Sequence, residues 1–283
     1  MAKCNGCGWE GPPELVDYNE ERMLFDHIPH LHYIWLVAAS TIAGVMNAMA
    51  GGGSFLSFPA MLGMGVLPVQ ANATNTVALW PGQLTSLATL RRDVRKDLLP
   101  TIAFTCVLGG VLGAEVLLHT HQRTFLLMIP WLILGGTAIF GISGPVSKWL
   151  RRRASHVGEE PHIPRFWLAC SLFPVCFYIG YFGAGGGFLV MTILALFGME
   201  KMHTLNAMKV VAALLSNLCA IITFIFQGAI VWHYCVVSMA FAALGGWVGA
   251  RFARRVNGDV LRAIVVATGC VIAAYFFWSQ AQG

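Results

Sequence analysis

Charged side chains in this chain gather into short runs, and between them, from Tyr33 almost to the C-terminus, lie long apolar segments. Roughly 20 apolar residues carry a helix across a bilayer core. With 57% apolar residues and only 11% charged ones, the chain cannot present a soluble protein's surface to water. The expected fold is all-α: a polytopic membrane protein in contact with the lipid bilayer.

Within that apolar sequence, Ala50-Gly51-Gly52-Gly53-Ser54-Phe55-Leu56-Ser57-Phe58-Pro59 stands out. Each glycine costs about 1 kcal/mol relative to alanine inside a helix, so one helix ends here and a short one, too short to span, begins. Broken backbone at membrane depth survives only where it is buried in protein or lines a wet cavity. The free N–H groups at the start of the short helix then suit an anion. The same device returns at Gly183-Ala184-Gly185-Gly186-Gly187-Phe188.

The two breaks belong to a repeat. Gly51-Gly52-Gly53 matches Gly185-Gly186-Gly187, Asn72-Ala73 matches Asn206-Ala207 and Gln83-Leu84 matches Asn217-Leu218, each 134 positions on. Gly109-Gly110-x-x-Gly113-Ala114, a small-residue face for close helix approach, returns as Gly245-Gly246-x-x-Gly249-Ala250, 136 positions on. The expected organisation is a polar, acidic tail over 1–32, a first membrane repeat over 33–147, a cytoplasmic linker over 148–165 and a second repeat over 166–283. Each repeat holds about four helices plus one short glycine-rich helix.

Basic residues lie in 91–97, 148–165 and 251–262, whereas 118–123 has one Arg and 228–233 has none. The positive-inside rule puts the first three in the cytoplasm. Equivalent loops of the two repeats then fall on opposite sides, which is the mark of inverted repeats. A net charge of +5 is thus a matter of orientation. No basic face with interleaved aromatics exists, so nucleic acid is not an expected partner.

Lys209 lies in an otherwise apolar segment, where an ionisable group is costly and marks function by default. It either snorkels to the interface or, with no carboxylate in its own segment, faces an anionic ligand. Asn72, Thr74, Asn75, Thr76 and Gln83 either join helices or line a polar cavity on one face. Ser54 and Ser57 either cap the short helix or reach a ligand. Candidate substrate-binding residues are Gly51, Gly52, Gly53, Ser54, Asn72, Asn75, Gln83, Gly185, Gly186, Gly187, Asn206, Lys209 and Asn217.

Six cysteines sit in apolar segments, where they act as small hydrophobes. Cys4-x-x-Cys7 would need two more ligands for a closed metal site; His27, His30 and His32 are nearby, but a plain tail is the expectation. Residues 1–30 lack the charged n-region and apolar h-region of a cleavable signal. No catalytic motif is present, and neither an enzyme nor a cofactor is expected.

The glycine motifs, Pro59, the Ala71-Asn72-Ala73-Thr74-Asn75 string, and Asn206, Lys209 and Asn217 carry a resemblance. Over about 33–280 the chain resembles the sulfite exporter TauE/SafE family, also called the toluene sulfonate uptake permease family. The resemblance implies transport of sulfite, an organosulfonate or a related sulfur-containing anion across the bacterial cytoplasmic membrane. An alternating-access transporter is the favoured form, with a passive anion channel of the same architecture as the alternative.

Overall fold

The computed structural model describes residues 29–49, 52–154, 163–199, 201–252 and 258–282. Gly51 and the Cys4–Cys7 tail lie outside them. The described residues are helical, without strands. The first half holds α1 (Pro29–Met49), α2 (Ser54–Gly63), α3 (Pro68–Leu90), a single 3-10 turn (Arg91–Asp93), α4 (Leu99–His119) and α5 (Gln122–Ala154). The second holds α6 (Arg165–Tyr181), α7 (Gly186–Leu196), α8 (Met202–Phe226), α9 (Trp232–Phe252) and α10 (Gly258–Gln282). Leu99–His119, Gln122–Ile139 and His203–Phe226 are long and apolar enough to cross a membrane.

Helix α1 stops at the glycines and α2 starts directly after them, as their poor helix propensity demands. At the other end of α2, Gly65 turns the chain at φ +76°. Pro68 then opens α3 at its first position, where the missing N–H is no loss. One boundary differs from expectation: α5 continues through Ala154, past 148. Arginine is a good helix former, so a run of basic residues does not by itself end a helix.

Glycine contacts show which helices run together. A Cβ on Gly245 would strike the Thr41 carbonyl, and one on Gly249 would come within 2.8 Å of Val45 Cα, so α1 and α9 lie side by side in the same direction. Gly109 against Cys176 and Gly113 against Phe177 and Gly180 do the same for α4 and α6. These are the two copies of the small-residue pattern, and both are used for close backbone approach. Cys106 Sγ reaches Ala212 O at 3.4 Å and Gly110 faces Ser216, which aligns α4 with α8. Thr74 Oγ1 accepts from Val231 N at 3.0 Å and Leu79 clusters with Ala242, which aligns α3 with α9.

The link between α8 and α9 covers only 227–231. A link that short spans roughly 20 Å at most, less than the roughly 30 Å length of α9, so α8 and α9 run in opposite directions. Helices α1, α3 and α9 therefore point one way and α4, α6 and α8 the other. At one end a core of Leu98, Ile163, Leu168, Met199, Leu205 and Met208 gathers the 91–98 and 163–164 connections. There Arg95, beside Asp97 at the ion-pair distance of 2.6 Å, holds that carboxyl below its ordinary range. At the other end Tyr33 meets Tyr234 with ring centroids 6.0 Å apart, and Val69 N donates to Gln122 Oε1 at 3.0 Å.

Contacts also recur at the repeat offset. Arg95 N donates to Met208 Sδ at 3.3 Å, as Val231 N does to Thr74 Oγ1; Val231 lies 136 positions after Arg95, and Met208 lies 134 after Thr74. Equivalent residues also touch each other. Trp80 Nε1 donates to Leu214 O at 3.3 Å, and Asn217 Nδ2 donates to Gln83 Oε1 at 3.2 Å.

Candidate functional site

The two glycine breaks do different work. Gly53, the residue before α2, has φ −59° and ψ −33°, values any residue adopts. It is glycine for space: a Cβ there would strike the Ala43 carbonyl and lie 3.1 Å from Asn47 Cβ. Gly52 is buried, and its carbonyl accepts from Phe55 N at 3.2 Å. In the second break Gly183 and Gly185 take φ +80° and +78°, where a Cβ costs about 1–2 kcal/mol. Gly186 again needs space, because a Cβ on it would overlap Ile179.

Both breaks meet on α5. A Cβ on Gly136 would lie 3.0 Å from Phe55 Cζ and 3.2 Å from Ala184 O, so this bare point of α5 touches the first turn of α2 and the turn before α7. Tyr178 Oη donates to Ala184 O at 2.7 Å and steadies that turn. Sequence reasoning missed Gly136; the available signal was the Gly135-Gly136 pair inside an apolar span.

Lys209 is brought to the start of α7. A Cβ on Gly187 would lie 3.2 Å from Lys209 Cγ and 3.4 Å from Cδ, so the missing side chain makes the channel in which the lysine stem rests. Its ammonium lies 4.9 Å from the Phe188 ring centroid, a cation–π contact. Lys209 is half-buried and forms no ion pair among the described residues. The N–H of Gly186 closes on Gly183 O at 3.4 Å and that of Phe188 on Gly185 O at 3.1 Å, while no backbone acceptor takes the Gly187 N–H among the described residues. A helix N-terminus, an unused N–H and an unpaired ammonium thus share one place, and all three favour negative charge. Asn206, one turn earlier on α8, is half-buried.

The first-half polar residues divide differently. Asn72, 2% exposed, donates through Nδ2 to Tyr181 O at 3.0 Å, fixing α3 to the end of α6. Asn75, also 2% exposed, accepts from the Ser57 hydroxyl, fixing α3 to α2. Thr74 is committed to Val231 N. For these three the helix-joining reading describes the contacts. Ser54 is half-buried at the first position of α2. Gln83 and Asn217 are brought together across the halves, and the Asn217 amide faces Gly183. Among the described residues no group of His, Cys, Asp or Glu is placed to hold a metal ion.

Residues 36–276 match the family model described as "Sulfite exporter TauE/SafE". Curated relatives include "Probable membrane transporter protein ORF9" of Sinorhizobium sp, 28% identical over 244 residues, 84% of this chain and 90% of that protein. A "Probable membrane transporter protein" of Haemophilus influenzae is 29% identical over 253 residues, covering 87% of this chain and 94% of its own length. "Probable membrane transporter protein YfcA" of Escherichia coli is 26% identical over 249 residues, 87% of this chain and 89% of the relative. No solved structure matches the chain. With the family model spanning nearly all of its helical part, this multi-pass membrane protein belongs to the sulfite exporter TauE/SafE family.

Proposed function

We propose that the protein is a secondary transporter that moves a small sulfur-containing anion, such as sulfite or an organosulfonate, across the bacterial cytoplasmic membrane by alternating access. One observation carries the reading: the unpaired Lys209 ammonium lies against the first turn of α7, beside Gly187 and Phe188. The printed names of the relatives, all probable membrane transporters, agree with it. The sulfur-containing substrate comes from the family description.

Alternating access draws on the repeat. Helices α3 and α8 hold equivalent places in the two halves yet run in opposite directions, which supports reading the halves as inverted repeats. Transporters built that way bind substrate near mid-membrane beside interrupted helices and rock one repeat against the other. The positive-inside rule assigns the basic 91–97 loop and the basic stretches 148–165 and 251–262 to the cytoplasm.

Thermal shift of the purified protein against sulfite, sulfate, thiosulfate, sulfoacetate, taurine and simple carboxylates tests the substrate class. A ligand at 100 times its Kd adds about 2.7 kcal/mol of stability, so sulfite or a sulfonate should raise Tm while matched carboxylates do not. Equal shifts with every anion, or none with any, would contradict the reading.

A further inference from the structure

The second glycine break has two ends, and only one faces Lys209. The other faces Asn217, eight residues further along α8, about 12 Å along the helix axis. Asn217 is 6% exposed, and its Oδ1 has no hydrogen-bond partner among the described residues, although its Nδ2 is held by Gln83 Oε1 at 3.2 Å. The position a Cβ of residue 183 would occupy lies 3.2 Å from Ile179 O and 3.7 Å from Asn217 Oδ1. Ile179 O lacks its ordinary helical donor as well, because the Gly183 N–H turns to Tyr178 O at 3.1 Å. Gly183 therefore leaves a methyl-sized space bounded by two oxygens that no donor among the described residues reaches.

An acceptor-lined space repels an anion, so it cannot be a second lobe of the Lys209 site. The free carbonyls of a helix C-terminus add negative partial charge, and interrupted helices of inverted-repeat transporters coordinate small cations through such carbonyls. None of these oxygens belongs to a titratable side chain, which excludes a bound proton. With no carboxylate in the set, a divalent ion would lack compensating charge, whereas a single positive charge asks less of neutral oxygens and the helix C-terminal dipole. We propose that Asn217 Oδ1, Ile179 O and the space at Gly183 form a binding site for a sodium-sized monovalent cation, loaded together with the transported anion. The proposal rests on the transporter reading and adds its coupling ion.

The site is tested with the purified full-length protein and radiolabelled sodium, in gluconate salts at constant ionic strength, with potassium and choline as competitors. Wild type should bind sodium saturably and in preference to potassium. Asn217→Leu should lose at least tenfold in sodium affinity, while Asn217→Asp, which keeps an oxygen and adds charge, should retain or tighten it. Because linkage is reciprocal, sodium should raise sulfite affinity by the same factor that sulfite raises sodium affinity. Wild-type elution on size exclusion and a cooperative thermal melt would show that Asn217→Leu is folded; if it fails to fold, Asn217→Asp and the wild-type selectivity carry the test. Absence of saturable sodium binding to wild type, or unchanged binding in folded Asn217→Leu, overturns the cation site. If wild type still binds sulfite in that case, the transporter reading stands without it; loss of both removes that reading too.

Discussion

Lys209 offers the sharpest test at the level of single residues, since its charge can be removed without its stem. Lys209→Met keeps the apolar chain that rests on Gly187 and loses only the ammonium. A charge-assisted hydrogen bond contributes about 1.5–3 kcal/mol, and each 1.4 kcal/mol is a tenfold change. Sulfite affinity measured by calorimetry should therefore fall at least tenfold with no loss in Tm, and Lys209→Arg should not restore it, because a planar guanidinium is a different shape. Unchanged affinity in the Met variant would remove Lys209 from the site. The neighbouring glycines separate packing from binding. Gly186→Ala should lower Tm because its Cβ overlaps Ile179. Gly187→Ala should leave stability within about 1 kcal/mol of wild type and weaken anion binding by displacing the lysine stem, 3.2 Å away. Sequence alone marks all these glycines as one motif. It carries no sign of which serve left-handed φ, as Gly183 and Gly185 do, and which serve space, as Gly53 and Gly186 do.

Among the elements, α5 is the one whose role was not legible in advance. Its apolar composition identifies a span, yet nothing local says that Gly136 touches both glycine breaks while Gly135 touches nothing within 4 Å. Gly135→Ala should be neutral or stabilising by up to about 1 kcal/mol, the helix-propensity gain. Gly136→Ala should cost about 1–3 kcal/mol through overpacking and should weaken sulfite binding, because Phe55 and Ala184 must give way. Paired Tm and binding measurements on the two variants check this; identical behaviour would mean that α5 is only lipid-facing wall. Most helix boundaries were legible within a few residues, because glycine and proline end apolar segments for local reasons. The end of α5 was not, since charge alone does not end a helix. Likewise Asn72 and Asn75 were recognisable as polar residues in an apolar segment, but their partners, Tyr181 O in the other half and Ser57 in the preceding helix, became visible only with the packing.

For the whole molecule, the parallel pairs α1 with α9 and α4 with α6 tie each half to the other through the repeated small-residue faces. The 134-residue offset pairs Gln83 with Asn217 in the sequence, whereas the contact between the two was not legible there. The proposed orientation predicts that single cysteines placed in 91–97, 148–165 or 251–262 label from the cytoplasmic side, and those in 118–123 or 228–233 from the opposite side. Labelling of 228–233 and 91–97 from the same side would contradict inverted repeats. Transport itself is tested most directly by counterflow in vesicles containing the purified protein. An alternating site exchanges internal for external anion, so preloading with unlabelled sulfite should accelerate entry of labelled sulfite several-fold over empty vesicles, and Lys209→Met should abolish the acceleration. Labelled sulfite entering preloaded and empty vesicles at the same rate, as through an open pore, would contradict the account.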